Sequence, residues 1–252
     1  MPFCKGDDRH PLCNCEAKRV VPHDGSDLRR SFLIVCWKRK TTRHAGIMLM
    51  DLPVPAQRRL IVGISGASGV VYGVRVLQLL RNAGVETHLV MSKTAELTFA
   101  YETTLKIADV KAAAHTVHDI GDMAASISSG SFRTAGMIVA PCSIRSMSEI
   151  ATGVTTTLLT RAADVTLKER RRLVLMVRET PLHGGHLRSM AALSDMGAII
   201  APPVPAFYAK PESIAEMVDH TVGRMLDLFE IDVGTVRRWG EDQDLRARPL
   251  KG

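Results

Sequence analysis

The chain lacks any apolar run long enough to cross a membrane. A spanning helix needs ~18 apolar residues, and here Gly, Arg or Pro interrupts each candidate run within about eight residues. The apolar segment 31–37 is short and late, and no small-residue cleavage pattern follows it, so we do not expect an export signal. The sequence therefore predicts a soluble protein with no membrane partner.

Paired cysteines are also scarce. Four of the five cysteines lie within the first 36 residues, and only Cys142 lies beyond them. A zinc site could be drawn from Cys4, Cys13, Cys15 and His10, but a single C-x-C pair without a second C-x-x-C is a weak pattern. A core without paired cysteines indicates the reducing cytoplasm.

Two nucleotide-binding patterns are missing: the chain has no G-x-G-x-x-G fingerprint after its first strand and no Gly-Lys-Ser/Thr. The net charge is +7, yet residues 1–50 hold ten Lys and Arg against five Asp and Glu, so they carry five of the seven excess charges. The rest of the chain is nearly neutral. Polyanion binding would depend on this N-terminal segment, where a solvated tail is the simpler interpretation, and we predict no nucleic-acid partner.

The periodicity of the sequence divides the chain into three parts. Residues 1–57 show no sustained period of 2 or 3.6, which predicts a flexible extension or an upstream start choice in the gene model. Residues 58–240 form the expected domain, and residues 241–252 form a C-terminal tail. With 46% hydrophobic residues in 252, the chain can bury one sizeable core.

Strand and helix patterns alternate through residues 58–240. Apolar strands are predicted at 60–64, 85–91, 136–140, 173–177 and 198–201, and helical patterns at 70–82, 94–103, 146–166, 186–196 and 214–229. Gly153 is expected to break the third helix, and Pro141 to end the third strand. Such alternation predicts an α/β fold with a parallel sheet covered on both faces, whose ligands bind at the carboxyl ends of the strands.

Polar residues follow the predicted strands at that edge. The small residues Gly66, Ala67, Ser68 and Gly69 would let a phosphate or a flat ring approach the backbone, although a tight turn explains them equally well. Ser143, Arg145 and Ser146 follow another strand and suit an anion or the edge of a heterocycle, but Ser is also a common helix cap.

Several charged residues could hold a phosphate. Lys168, Arg178 and Arg224 are candidate cations, and Glu179 and Glu102 are candidate acids for a proton on that phosphate. Surface solvation is the alternative for each cation, and it is the preferred interpretation for residues 170–172. Tyr208 offers a phenol on a rigid loop, beside Phe207, which core packing would explain.

Six motifs occur in order over residues 59–239. They are Ile64-Ser-Gly-Ala-Ser-Gly69, Ala140-Pro-Cys-Ser143, Arg161-Ala-Ala-Asp-Val165, Leu167-Lys-Glu-Arg-Arg171, Arg178-Glu-Thr-Pro-Leu182 and Pro205-Ala-Phe-Tyr208. Together they resemble the UbiX-type flavin prenyltransferases. The resemblance implies a Rossmann-like or flavodoxin-like three-layer sandwich that transfers a dimethylallyl group from dimethylallyl phosphate to reduced FMN.

The resemblance also implies roles for individual residues. The residues that the resemblance implies as FMN contacts are Gly66, Ala67, Ser68, Ser92, Ser143, Ile144, Arg145, Ser146 and Arg178. Tyr208 and Arg224 would grip the prenyl phosphate, and the catalytic set would be Ser68, Glu102, Arg161, Lys168 and Glu179. No metal is implied. The expected partners are a UbiD-type decarboxylase, which receives the prenylated FMN, and further copies of the chain, up to a dodecamer with sites between subunits.

Two other functions stay open at this point. One is an FMN-dependent decarboxylase of cysteine-containing peptides, which would need a catalytic His at the flavin, with His115 and His118 as candidates. The other is a flavin-binding subunit without catalysis. The chain also departs from the family pattern at residues 155–157 and at Arg172, where Asn and Pro are common.

Overall fold

The computed structural model describes residues 58–240 of the chain. In that part the strands are β1 (Arg59–Ile64), β2 (Glu86–Met91), β3 (Thr116–His118), β4 (Gly136–Cys142), β5 (Arg172–Val177) and β6 (Ile199–Ile200). The helices are α1 (Val70–Asn82), α2 (Lys93–Glu102), α3 (Ile107–Ala112), α4 (Ile144–Thr152), α5 (Leu158–Lys168), α6 (Gly184–Asp195) and α7 (Ile214–Asp227). The predicted extension, the predicted tail and the considered zinc ligands lie outside the described residues.

The strands form one parallel sheet in the order β3-β2-β1-β4-β5-β6. This is the strand order of the Rossmann-type doubly wound fold, in which the direction of winding reverses between β1 and β4. The predicted fold class is confirmed. The reversal matters for function, because the connections leave β1 and β4 in opposite directions and open a crevice at their carboxyl ends.

The sheet separates two apolar cores. Alternate residues of β1 point to opposite faces, so that Leu60, Val62 and Ile64 pack with α1 and α7, whereas Ile61 packs with α4 and α5. Because both faces are covered, the strands read as continuous apolar runs rather than as an alternation of apolar and polar residues.

Gly73 lets α1 approach the sheet closely. A Cβ atom at this position would clash with the backbone carbonyl of Ala140 in β4. The start of α1 therefore lies directly over the end of β4, beside the crevice.

The structure differs from the predicted elements in two places. The prediction that Pro141 ends its strand is wrong, since β4 continues to Cys142 with an irregular pairing to β5 after Val139. The short elements α3 and β3 were not predicted, because α3 buries only Val110 and β3 buries none of its residues, which leaves no periodic signal. The predicted break at Gly153 is confirmed, with a left-handed φ of 72° at the end of α4.

None of the helices in residues 58–240 is both long enough and apolar enough to cross a membrane.

Candidate functional site

A cleft of about 520 Å³ opens at the carboxyl edge of the sheet. We call it the carboxyl-edge cleft. It is lined by Gly66, Ser92, Lys93, Thr94, Ile120, Gly121, Ser143, Ile144, Arg145, Ser146, Glu149, Thr156, Thr157, Leu159 and Glu179. Its volume is in the range of small-molecule sites, which span roughly 300–1,000 Å³.

Ser65 ties together the two turns that form the floor of the crevice. Its hydroxyl donates to the carbonyl oxygen of Pro141 at 3.0 Å and accepts from the backbone N–H of Ser143 at 2.7 Å. The side chain is buried, with 1% exposure of the residue. Sequence reasoning assigned no role to Ser65, although a serine directly after an apolar strand was visible.

The wall after β1 is made of backbone. At Gly66 a Cβ atom would overlap the side chain of Thr94, so no side chain fits between this turn and the start of α2. Ser92 begins α2 and accepts from the backbone N–H of Ala95 at 3.1 Å. The turn at Gly66 therefore packs directly against the start of α2, and Gly66, Ser92 and Thr94 together line this side of the cleft.

The opposite wall begins at the N-terminus of α4. The Ser143 hydroxyl accepts from the backbone N–H of Ser146 at 3.3 Å and donates to the Ser146 hydroxyl at 3.2 Å. Ser143 therefore caps α4, and both serines line the carboxyl-edge cleft; their contact with an anion or a heterocycle stays a prediction.

Glu149 is a cleft residue that sequence reasoning missed. Its carboxylate accepts from Arg145 Nε at 2.9 Å and from the Thr156 hydroxyl at 2.9 Å. The Arg145 side chain is 77% exposed, so this pairing directs a mobile cation along the cleft wall. The i to i+4 spacing of the two residues was the available signal.

Ser68 and Glu102 meet at the start of α1, just outside the cleft lining. The Glu102 carboxylate accepts from the backbone N–H groups of Gly69 at 2.8 Å and Val70 at 3.1 Å. Partial burial acts to raise the pKa of Glu102, but hydrogen bonds from Ser68 and these N–H groups and the charge of Arg178 outweigh it, so this pKa lies below its usual value. A carboxylate thus occupies the anion-binding end of α1.

Arg178 and Glu179 follow β5 at the same edge. The backbone N–H of Arg178 donates to Cys142 at 3.0 Å, which keeps this turn beside β4. Burial raises the pKa of Tyr72 in α1, and the positive charge of Arg178 opposes that rise. Glu179 lines the carboxyl-edge cleft, and one of its carboxylate oxygens accepts from the backbone N–H of Thr180 at 3.0 Å.

Two predicted site residues, Lys168 and Arg224, lie at the opposite edge of the sheet from the cleft within one copy of the chain. Lys168 ends α5 just before β5 begins, and Arg224 lies in the last turn of α7, whose continuation at Phe229 packs near Gly136 at the start of β4. Both are therefore at the amino-terminal edge of the sheet, since α5 and α7 run antiparallel to the strands.

Each of these cations has partners inside its own copy. Lys168 Nζ donates to Glu169 at 2.6 Å, and Arg224 donates to Asp227 at 3.0 Å. Arg161 donates to the Ser128 carbonyl at 3.3 Å and to Asp164 at 2.9 Å. One copy of the chain therefore does not bring Lys168 and Arg224 to its own carboxyl-edge cleft, whereas Arg178 follows β5 at that edge.

Tyr208 lies on the 3-10 turn Phe207–Ala209, outside the lining of the carboxyl-edge cleft. Its hydroxyl is 3.5 Å from His220 Nε2. The core-packing interpretation of Phe207 is wrong, because this residue is 73% exposed.

The solvated-face interpretation of residues 170–172 is wrong for Arg171. Its guanidinium donates to the carbonyl oxygens of Phe132 and Gly130, both at 2.6 Å, and so anchors the loop that precedes β4. Arg172 is exposed at the start of β5.

The decarboxylase alternative would need a histidine or a reactive cysteine at the carboxyl-edge cleft, and the described residues do not place one there. Within residues 58–240 no histidine lines the carboxyl-edge cleft; His115 Nδ1 accepts from the backbone N–H of Thr87, and His118 stacks on His88. Complete burial raises the pKa of the Cys142 thiol to about 12, which keeps it protonated and poorly nucleophilic at neutral pH.

Comparison with known proteins agrees with this geometry. The Flavoprotein family model matches residues 55–234. A flavin prenyltransferase UbiX from Thauera aromatica is 54% identical over 186 residues, which cover 74% of this chain and 96% of the relative. The UbiX from Escherichia coli K12 is 58% identical over 175 residues, which cover 69% of this chain and 93% of the relative.

Solved structures give the same result. AnUbiX (PadA1), crystallised in complex with FMN and dimethylallyl pyrophosphate, superposes with a TM-score of 0.72 at 55% identity, covering 73% of this chain and 97% of that one. A dodecameric FMN-dependent Ubix-like decarboxylase from Escherichia coli O157:H7 superposes with a TM-score of 0.70 at 52% identity, covering 72% and 98%. The crevice at the β1–β4 reversal and these relatives, all more than half identical, show that the chain belongs to the UbiX family of flavin prenyltransferases.

Proposed function

We propose that the protein transfers a dimethylallyl group from dimethylallyl phosphate to reduced FMN. One observation carries this proposal: a relative of 55% identity, with the same fold over 97% of its length, holds FMN and dimethylallyl pyrophosphate together. In this chain, Gly66, Ser143 and Glu179 from three of the motifs line the carboxyl-edge cleft.

The carboxyl-edge cleft suits FMN as the acceptor substrate. Gly66 presents no side chain to the cleft, and the helix starts at Ser92 and Ser143 would offer N–H groups and hydroxyls to an anion or a polar ring edge. We assign FMN contacts to the nine residues predicted from the sequence, of which Gly66, Ser92, Ser143, Ile144, Arg145 and Ser146 line the cleft. Reduced FMN would supply the nucleophilic ring atoms.

The prenyl phosphate needs cations and a proton acceptor or donor. Glu179 at the cleft can hold a proton of the phosphate, and Arg178 can bind its oxygens in a bidentate manner. Hydroxyls and cations stabilise the negative charge that develops on the departing phosphate, while a dry pocket protects the allylic group from water. Ser68 and Glu102, at the start of α1, would orient the reacting groups.

Arg161 lies near the start of α5, which lines the carboxyl-edge cleft, whereas Lys168 and Arg224 would join such a site only from neighbouring copies. Their position away from the carboxyl-edge cleft of their own copy supports a homo-oligomer in which copies share sites, and one relative is a dodecamer. We therefore propose the same assembly for this chain. In it, the amino-terminal edge of one copy faces the carboxyl edge of another.

The product would be prenylated FMN, and a UbiD-type decarboxylase would be its recipient. We also infer a cytoplasmic location, which the reduced state of the FMN substrate and the free thiol of Cys142 support.

The test is an anaerobic reaction of the purified protein with reduced FMN and dimethylallyl phosphate, followed by mass spectrometry of the extracted flavin. We expect a flavin enlarged by one five-carbon unit and the release of inorganic phosphate. An unchanged flavin mass would reject the proposal. Release of carbon dioxide from a cysteine-ending peptide, with no enlarged flavin, would instead establish the decarboxylase alternative.

A further inference from the structure

Tyr208 is held by a buried histidine that neither the motifs nor the cleft lining include. His220 of α7 is 6% exposed, and its Nε2 atom lies 3.5 Å from the Tyr208 hydroxyl oxygen. The two rings meet edge to face with centroids 5.6 Å apart. Trp239 contacts Tyr208 in a similar edge-to-face manner at 5.8 Å, so the phenol is fixed between two rings.

The same His220 nitrogen has a second neighbour that favours one tautomer of the imidazole. Nε2 lies 3.4 Å from the backbone carbonyl oxygen of Arg237. A carbonyl oxygen can only accept a hydrogen bond. The contact is therefore favourable when Nε2 carries a hydrogen, and it is repulsive when Nε2 presents a lone pair.

The tautomer with a hydrogen on Nε2 determines whether the Tyr208 hydroxyl acts as a donor or an acceptor toward His220. If the Nε2–H group is shared between the Arg237 carbonyl and Tyr208, the tyrosine oxygen is an acceptor on its buried side. The hydroxyl hydrogen then points away from His220 and is available to another acceptor, and Tyr208 as a residue is 44% exposed. An outward hydroxyl hydrogen is the group that an anionic oxygen binds.

We propose that His220 is a positioning residue of the prenyl-phosphate site. It donates Nε2–H to Tyr208, fixes the orientation of the phenol, and leaves the Tyr208 hydroxyl hydrogen for the phosphate of the substrate. The inference rests on the proposed function and on the phosphate contact that the family resemblance implies for Tyr208.

Two amide substitutions test the position of the donor. His220→Gln can place an N–H group near the site of Nε2, whereas the shorter His220→Asn can reach only the site of Nδ1. His220→Phe keeps a ring without a donor. The full-length assembled protein is assayed anaerobically with dimethylallyl phosphate and reduced FMN, and thermal midpoint and elution volume are recorded for each variant.

We expect His220→Asn and His220→Phe to lower kcat/KM for dimethylallyl phosphate by about three- to tenfold, mainly through KM, as loss of one uncharged hydrogen bond does. The dissociation constant of FMN should stay at its wild-type value, and His220→Gln should retain most of kcat/KM. Equal values for the Gln and Asn variants would overturn the proposal. If the His220→Phe variant fails to fold, the comparison of the His220→Gln and His220→Asn variants still tests the proposal.

A double substitution separates positioning from packing. Tyr208→Phe removes the hydroxyl, so adding His220→Asn to it should cause no further loss in kcat/KM. A further loss of the same size in the Tyr208→Phe background would show that His220 acts independently of the phenol, which would also overturn the proposal. Failure of the wild-type protein to prenylate FMN would reject the proposed function itself, whereas wild-type activity with an unaffected Asn variant would reject only the role of His220.

Discussion

At the scale of single residues, Glu102 shows how a candidate catalytic group also supports the fold. Its carboxylate binds the N–H groups of Gly69 and Val70, 33 and 32 residues away along the chain. The turn after β1 contains no cation of its own to attract an anion, but it has the positive end of α1. Glu102 satisfies that end, and its hydrogen bond with Ser68 keeps the serine at the start of the helix.

The lowered pKa of Glu102 makes a prediction about acid stability. Because its pKa is lower in the folded state than in the unfolded state, Glu102 stabilises the fold above the unfolded-state pKa, and that contribution is lost as the pH falls through the folded pKa. We expect Glu102→Gln to lower the free energy of unfolding by about 0.5–1 kcal/mol at pH 7, the low end for a cap because solvent screens it.

Denaturant unfolding of both proteins at several pH values checks this. The difference between wild type and Glu102→Gln should shrink as the pH falls below the usual carboxyl pKa near 4.5. A difference that stays constant down to acid pH would contradict the role given to the charge.

At the scale of elements, the site depends on how the ends of β1 and β4 are joined. Ser65 makes this link with one hydroxyl, which donates to Pro141 and accepts from Ser143. Removing the hydroxyl would leave a buried N–H and a buried carbonyl oxygen with one partner fewer. It would also loosen the turn that begins α4.

We therefore predict that Ser65→Ala lowers the free energy of unfolding by about 1–3 kcal/mol, the range for a buried group left without its partner. FMN should also bind more weakly, because Ser143 lines the carboxyl-edge cleft. Urea unfolding and FMN titration measure the two effects. The matched control is Ser129→Ala, whose exposed hydroxyl bonds only to nearby Ser131 groups, and which should change stability by less than ~0.5 kcal/mol. Equal effects of the two substitutions would contradict the role of Ser65.

The elements also show where sequence patterns succeed. The long strands β1, β2, β4 and β5 were predicted within one or two residues, because apolar runs covered on both faces give a strong signal. The short β3 and α3 gave none, since few of their residues are buried. Pro141 was misread because a proline does not prevent a strand from continuing where its partner shifts register.

At the scale of the whole molecule, two halves of the predicted phosphate site lie at opposite edges of the sheet. Glu179 is in the carboxyl-edge cleft, and Lys168 is at the end of α5 on the other side. Under the proposed function they must come from different copies of the chain. Heterologous contacts of this kind generate a closed ring when the rotation between neighbouring copies closes.

This arrangement predicts complementation between inactive variants. Glu179→Gln should abolish prenylation while FMN stays bound, and Lys168→Ala should be strongly impaired. When the two variants are co-expressed with different tags and the mixed oligomer is isolated, some sites combine an intact Glu179 with an intact Lys168. Random mixing of copies should restore about one quarter of the wild-type activity.

The control is Glu179→Gln co-expressed under both tags, which should remain inactive. A mixed oligomer as inactive as this control would contradict a site shared between copies, even if both single variants behave as predicted.

The sequence alone determined the class of fold, the edge of the sheet that carries the site and the family, because buried strands, small-residue turns and ordered motifs are local patterns. Tertiary structure decided which of those residues meet. It placed Glu102 on the start of α1, Glu149 against Arg145 and His220 behind Tyr208, and it separated Lys168 and Arg224 from Glu179. The physical reason is that helix length and direction set the edge at which a side chain lies, and the packing of distant segments sets its hydrogen-bond partners, neither of which motif spacing encodes.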